Sequence, residues 1–129
     1  MQKADIVIND LDDTTPITYT PTTGAGNQAM YTDLNAAIEP HLRETIELVF
    51  RPAVPLRGVK GKTTEKLVIP YEVTSTDGVV TVKEVTGQMV YMVPDDAPRT
   101  VREQLVNRMK KVPQDSQLSA VVLDNAFPY

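Results

Sequence analysis

Apolar and polar residues alternate along most of the chain up to Val93 and then switch to helical spacing. Between residues 45 and 51, Ile46, Leu48 and Phe50 point one way while Thr45, Glu47, Val49 and Arg51 point the other. That period of two predicts a strand. Residues 64–73 repeat it, with Leu67, Ile69 and Tyr71 on one face and Lys66, Val68 and Pro70 on the other. Pro70 has no N–H to give to a ladder, so it belongs at an edge or a bulge. Between these strands, residues 54–62 read as a Pro/Gly/Lys loop or an irregular strand end. Residues 79–85 and 88–93 predict one long strand interrupted at Gly87. Met89, Tyr91 and Val93 face the core there, and Gln88, Val90 and Met92 face outward. The joining segment Thr74-Ser75-Thr76-Asp77-Gly78 is the strongest turn signal in the chain, because Asp-Gly reaches positive φ at little steric cost.

Toward the N-terminus, residues 5–11 and 15–21 predict a hairpin, with Asp12-Asp13-Thr14 as its turn and Ile17 and Tyr19 alternating with threonines. Gly24-Ala25-Gly26-Asn27 reads as a flexible connection. Residues 28–42 stay open between two readings. Met30, Leu34, Ala37 and Ile38 fit a helical face, while a short strand is the alternative. Beyond Pro94 the period changes. Asp95 or Asp96 is a candidate cap and Pro98 suits a first helical turn. Val101, Leu105, Met109 and Val112 then form an apolar stripe. Arg108, Lys110 and Lys111 favour the negative end of the helix dipole, and Pro113 stops the helix. Asp115 or Ser116 caps a second, shorter helix carrying Leu118, Val121 and Val122.

The predicted fold class is therefore α+β: an N-terminal β-hairpin, a five-stranded antiparallel sheet and two C-terminal helices, in one domain spanning residues 1–129. One long and one short helix are little cover for such a sheet. The pattern implies that a second copy supplies its helices to complete the core. The outward face mixes Val49, Val68, Val90 and Met92 with Thr45, Arg51, Lys66 and Gln88, as a partner surface does.

Composition narrows the chemistry. The absence of cysteine removes disulfides, thiolate nucleophiles and thiolate metal sites. His41, the one histidine, stands beside Pro40 without a Ser or Cys nucleophile signature and reads as a surface loop residue. Asp12-Asp13 and Asp95-Asp96 read as turn and cap residues rather than acid/base or calcium pairs. Gly24-Ala25-Gly26 is too short for a nucleotide loop. No cofactor, metal or small-molecule substrate is expected, and no enzymatic activity. No apolar run approaches the roughly 20 residues that span a bilayer, and the N-terminus lacks signal-peptide features, so synthesis in the cytosol is expected. The net charge of −4 weighs against indiscriminate nucleic-acid binding. Residues 51–66 nevertheless carry Arg51, Arg57, Lys60, Lys62 and Lys66 against Glu65 alone, a local footprint for phosphates.

Several stretches taken together resemble the coat proteins of single-stranded RNA bacteriophages, the leviviruses. They are the strand ending Met89-Val90-Tyr91-Met92-Val93-Pro94, the helix over 99–111, and the terminal Ser119-Ala120-Val121-Val122-Leu123-Asp124-Asn125-Ala126-Phe127-Pro128-Tyr129. The strand over 45–51 with its Arg, the basic stretch after it and Lys66-Leu67-Val68-Ile69-Pro70 follow the same layout. The resemblance implies an intertwined homodimer with a continuous ten-stranded sheet, clasped by helices on one side. The bare side lines an icosahedral shell of quasi-equivalent dimers and meets viral RNA. The loop over 73–81 would adapt at the symmetry axes. The expected locations are the virion and, during assembly, the host bacterial cytoplasm. A small β-rich binding or adhesion domain without RNA is the alternative.

The family also binds an RNA hairpin as a translational repressor. Carried over by position, its contacts fall on Thr45, Glu47, Val49, Arg51, Thr64, Lys66, Thr86, Gln88 and Val90. Arg51 and Lys66, with Lys60 and Lys62 beside them, suit phosphates. Thr45, Thr64 and Gln88 suit base or sugar. Glu47 would face a polyanion, Val49 and Val90 offer little, and Thr86 stands where the family stacks a base on an aromatic. The expectation is general RNA packaging, with hairpin recognition different or absent.

Overall fold

The computed structural model describes residues 4–9 and 14–125. Six strands follow one another: β1 (Ile6–Asn9), β2 (Pro16–Ala25), β3 (Gln28–Asp33), β4 (Thr45–Arg51), β5 (Gly61–Thr74) and β6 (Val80–Val93). They form a single antiparallel sheet in sequence order. β1 and β2 are the N-terminal hairpin, β4, β5 and β6 are the strands the alternation predicts, and β3 is the short strand held as an alternative for residues 28–42. Helices α1 (Arg99–Lys111) and α2 (Ser116–Asp124) close the chain, joined by a short 3-10 turn over Val112–Gln114. The predicted turn at Asp12-Asp13 and the tail 126–129 lie outside the described residues.

The sequence dictates the tight turns. Gly26 at φ +60° and Gly78 at φ +85° occupy the left-handed region where a Cβ is strained. In the β5–β6 turn the Ser75 N–H donates to the Val79 carbonyl at 2.9 Å, and the Gly78 N–H donates to the Ser75 carbonyl at 3.0 Å. The Ser75 hydroxyl donates to Asp77, and that bond, helped by backbone N–H groups, holds the Asp77 carboxyl below the usual aspartate value.

Of the two readings open for residues 28–42, the strand holds over 28–33, where pairing with β2 on one side and β4 on the other decides the conformation. Met30 and Leu34 share helical spacing with Ala37 and Ile38 only by coincidence. Other expectations need correction. Gly24 belongs to β2, so only Gly26 and Asn27 form the connection. β5 begins at Gly61 rather than Thr64. β6 runs unbroken through Gly87, which pairs with Leu67 and has open space where a Cβ would be. Neither Asp95 nor Asp96 caps α1. Pro98 is the N-cap residue, extended and without a side-chain cap bond, so both acids come too early. Arg102 ties that entry turn instead, donating from Nε to the Ala97 carbonyl and from Nη2 to the Asp95 carbonyl, both at 3.0 Å. Asp115 does cap α2, accepting from the Leu118 N–H at 3.3 Å. Pro70 sits where expected: the β4 ladder stops at Val68, so at Pro70 the strand β5 has only β6 beside it.

The core is small. Among the described residues only Tyr19, Tyr31, Ile46 and Asp33 are buried, with Ile6, Ile17, Ala29, Leu48 and Leu67 packed around the first three. The Tyr19 hydroxyl donates to Glu44 Oε2 at 3.1 Å, which gives its polar end a partner. Both helices pack on the turn between them, and neither makes an extensive contact with its own sheet. No helical residue is buried among the described residues of α1, and Val122 and Leu123 of α2 are 83% and 82% exposed. The accessible surface is 10115 Å². A compact monomer of 14.3 kDa has about 6,800 Å² by the surface–mass relation, so the chain exposes about 3,300 Å² more than a self-sufficient fold would.

Candidate nucleic-acid interface

Strand alternation sorts the sheet into two faces. Ile46, Leu48 and Phe50 of β4, Leu67 of β5, and Tyr91 and Val93 of β6 lie on the face toward α1. There a groove of about 310 Å³ is lined by Phe50, Thr63, Tyr91, Val93, Leu105 and Val106 with other side chains. Tyr91 is half-buried there. Burial, with the Glu65 carboxylate adding to it, pushes its phenol above the usual tyrosine value, so it stays neutral. The opposite face carries no helix.

Cross-strand register arranges that bare face in rows. Thr45, Val68 and Thr86 form one row, and Glu47, Lys66 and Gln88 the next. Val49, Thr64 and Val90 follow, then Arg51, Lys62 and Met92. Thr45, Arg51, Lys62, Thr64, Lys66, Thr86 and Gln88 therefore share one surface, as a set of contacts to one ligand must. Lys60 is not on a strand. It stands in the loop before β5, where its carbonyl oxygen lies 3.5 Å from Arg51 Nη2.

Register also supplies what a single strand cannot reveal. Glu47 lies directly across from Lys66. An opposite-charge cross-strand pair is favourable, and Lys66 offsets the carboxylate that would otherwise repel a polyanion. Arg51 instead lies across from Lys62, a like-charge pair that disfavours itself without an anion. Among the described residues, ion pairs involve only His41, Glu39, Glu72, Arg99 and Glu103. Arg51, Lys60, Lys62 and Lys66 make no ion-pair contact within that set, and Lys66 faces Glu47 across the ladder without touching it. The face is polarised as well. Its far end, on the β5–β6 hairpin, carries Glu72 and Glu84. Near it Glu39, His41 and Glu72 are all exposed, with potential ligand atoms within 4.8 Å of one another.

No protein-family profile and no curated protein matches the chain. Solved structures do. The virus-like particle of bacteriophage AVE019 superposes with a TM-score of 0.84 at 15% identity, over 100% of both chains. The virus-like particle of Beihai levi-like virus 21 gives 0.84 at 23% identity, over 100% of this chain and 99% of that one. The capsid protein of bacteriophage GA gives 0.64 at 19% identity, over 95% of each. The fold is that of the RNA phage coat proteins. The match spans the hairpin, the sheet and both helices, so the levivirus-like architecture expected from the sequence holds along the whole chain. In coat-fold terms the groove side is the helix side and the rows from Thr45 to Arg51 are the bare side. These identities are low enough that sheet order and helix placement are shared while the side chains on the bare face are this chain's own.

Proposed function

We propose that the chain is a capsid subunit. Two copies exchange helices across their sheets into a dimer, and dimers close into an icosahedral shell around RNA. The observation that carries this reading is the uncovered surface. The excess is about 3,300 Å² per chain and so about 6,600 Å² for two copies, an area at the upper end of obligate interfaces, which bury 2,000–5,000 Å² or more in total. It is apolar where the sheet lacks helices and where the helices lack a sheet. An exchange of helices between two copies, as the resemblance implies, would close both at once. The bare face is the RNA side, with Arg51, Lys62 and Lys66 meeting phosphates, Lys60 at its border, and Thr45, Thr64, Thr86 and Gln88 meeting sugar and base edges. The Glu47–Lys66 pairing lowers the local positive potential and favours packaging over selection of one hairpin.

The test is to express the chain and measure particle mass together with nuclease protection of its contents. Megadalton particles holding protected RNA are expected, and a monomer under all conditions sinks the reading. Within dimers, dilution is expected to destabilise. Each tenfold drop in concentration should lower the apparent unfolding free energy by about 1.4 kcal/mol, whereas urea midpoints of a folded monomer would not move. Replacing Arg51, Lys62 and Lys66 with alanine together should reduce the salt dependence of single-stranded RNA binding by roughly 0.7 in log–log slope per cation removed. An unchanged slope would remove these residues as phosphate contacts.

A further inference from the structure

The β5–β6 ladder outruns the rest of the sheet. β4 pairs with β5 only from Lys62 to Val68, whereas β6 pairs with β5 out to Thr74. Residues 69–85 therefore form an arm with no third strand beside it. The β3–β4 connection reaches its base, where the short 3-10 turn Pro40–Leu42 packs against β5. The Leu42 N–H donates to the Glu39 carbonyl at 2.9 Å, which holds Glu39 and His41 on one turn of backbone. Two carboxylates then converge on one ring nitrogen. His41 Nε2 lies 2.9 Å from Glu72 Oε1 of the arm and 3.3 Å from Glu39 Oε2. Nε2 carries at most one hydrogen, and the hydrogen bond goes to Glu72. The Glu39 oxygen faces the same nitrogen with no proton left to share.

We propose that Glu39, His41 and Glu72 form a binding site for a divalent transition-metal ion of the Zn²⁺ class. A metal ion on the Nε2 lone pair serves all three converging atoms at once, which one proton cannot do. The three ligand atoms come from two chain segments and lie within 4.8 Å of one another. Ligands at about 2.0–2.2 Å from a tetrahedral ion stand about 3.3–3.6 Å apart, so exposed side chains reach that spacing by small rotamer adjustments. The donor set selects the ion. One imidazole with two carboxylates suits Zn²⁺ and its first-row neighbours, whereas Mg²⁺ and Ca²⁺ take oxygen ligands alone. Two glutamates match the charge of a dication, and Glu84 of β6, one pair further along the same face, adds negative potential. Because all three side chains are exposed, water completes the coordination and the site stays open on its solvent side. The bound ion would tie the β3–β4 connection to the base of the arm.

Calorimetric titration of the purified, untagged and chelator-stripped protein with zinc chloride tests this. About one Zn²⁺ per chain should bind saturably, Co²⁺ should compete for the site, and Mg²⁺ at the same concentration should not. His41→Ala, Glu39→Gln and Glu72→Gln should each weaken binding at least about tenfold. The three positions are exposed, so urea midpoints of the metal-free variants should match wild type and separate lost ligands from lost fold. His41 is the one histidine and the chain has no cysteine, so no second imidazole or thiolate competes. The NMR signals of that single imidazole should shift in step with saturation. No saturable binding by wild type, or equal binding by wild type and His41→Ala, overturns the site. The readout lies within one subunit, so its failure leaves the shell reading standing, and failure to form particles leaves the metal site standing.

Discussion

Val122→Asp is expected to destabilise the protein by about 3 kcal/mol per subunit and to leave it largely unassembled, although Val122 is 83% exposed in a single chain. The exposure is what makes the experiment decisive. A valine facing water tolerates substitution within about 0.5 kcal/mol. A valine facing the sheet of a second copy loses its buried area and places a carboxylate in an apolar seam. Val122 shares a helical face with Leu118 and Val121, the apolar side of α2. Urea midpoints at matched concentration, with sedimentation velocity for size, give the answer, and Gln104→Glu on α1 is the control. A loss below about 0.5 kcal/mol for Val122→Asp would make α2 a free surface helix and remove the exchanged-helix dimer.

Tyr19→Ala should produce the largest loss of any single core truncation, about 3–5 kcal/mol. Tyr19 is 2% exposed and heads the cluster of buried hydrophobic residues that it forms with Tyr31 and Ile46 among the described residues. So small a core has no reserve against a cavity. The ring also joins β2 of the hairpin to β4 through its cluster, and its hydroxyl bonds Glu44. Tyr19→Phe keeps the ring and gives up that bond, for about 1 kcal/mol. Equal losses for the two variants would mean that the hydroxyl, and not the packing, holds the hairpin. Chemical denaturation of both variants beside wild type reads the difference.

The parts of the fold legible in the sequence were those fixed by local pattern. Alternation gave β4 to the residue, and the stripe from Val101 to Val112 with Pro98 and Pro113 bracketed α1. Readings stayed open or went wrong where a neighbour decides. Residues 28–33 carry no strong period of their own and become a strand between β2 and β4. Gly87 looks like an interruption, but a continuous ladder with β5 carries it through. For the candidate site, period two within the predicted strands placed Thr45, Arg51, Thr64, Lys66 and Gln88 on one face, while Lys62 and Thr86 join them only because β5 begins at Gly61 and β6 runs unbroken. The position of Lys66 directly across from Glu47 and the like-charge pair Arg51–Lys62 are two-strand properties and need the register. The meeting of His41 with Glu72, 31 residues apart, has no sequence signal at all, since it depends on where a loop lands on an arm.

The strictly sequential order of the six strands has a kinetic consequence. Each strand pairs with the one before it, so the sheet grows by successive hairpin closures and never waits for a distant segment. Such closures are local and fast, on the order of microseconds for a short hairpin. The helices come last in the chain and find little of their own sheet to rest on. Sheet formation is then a first-order event that can begin before synthesis ends, while in the proposed dimer completion would be a second-order encounter set by how many sister chains are nearby. Newly made subunits would wait, half-covered, until their concentration suffices, and the onset of particle formation would follow the rate of translation.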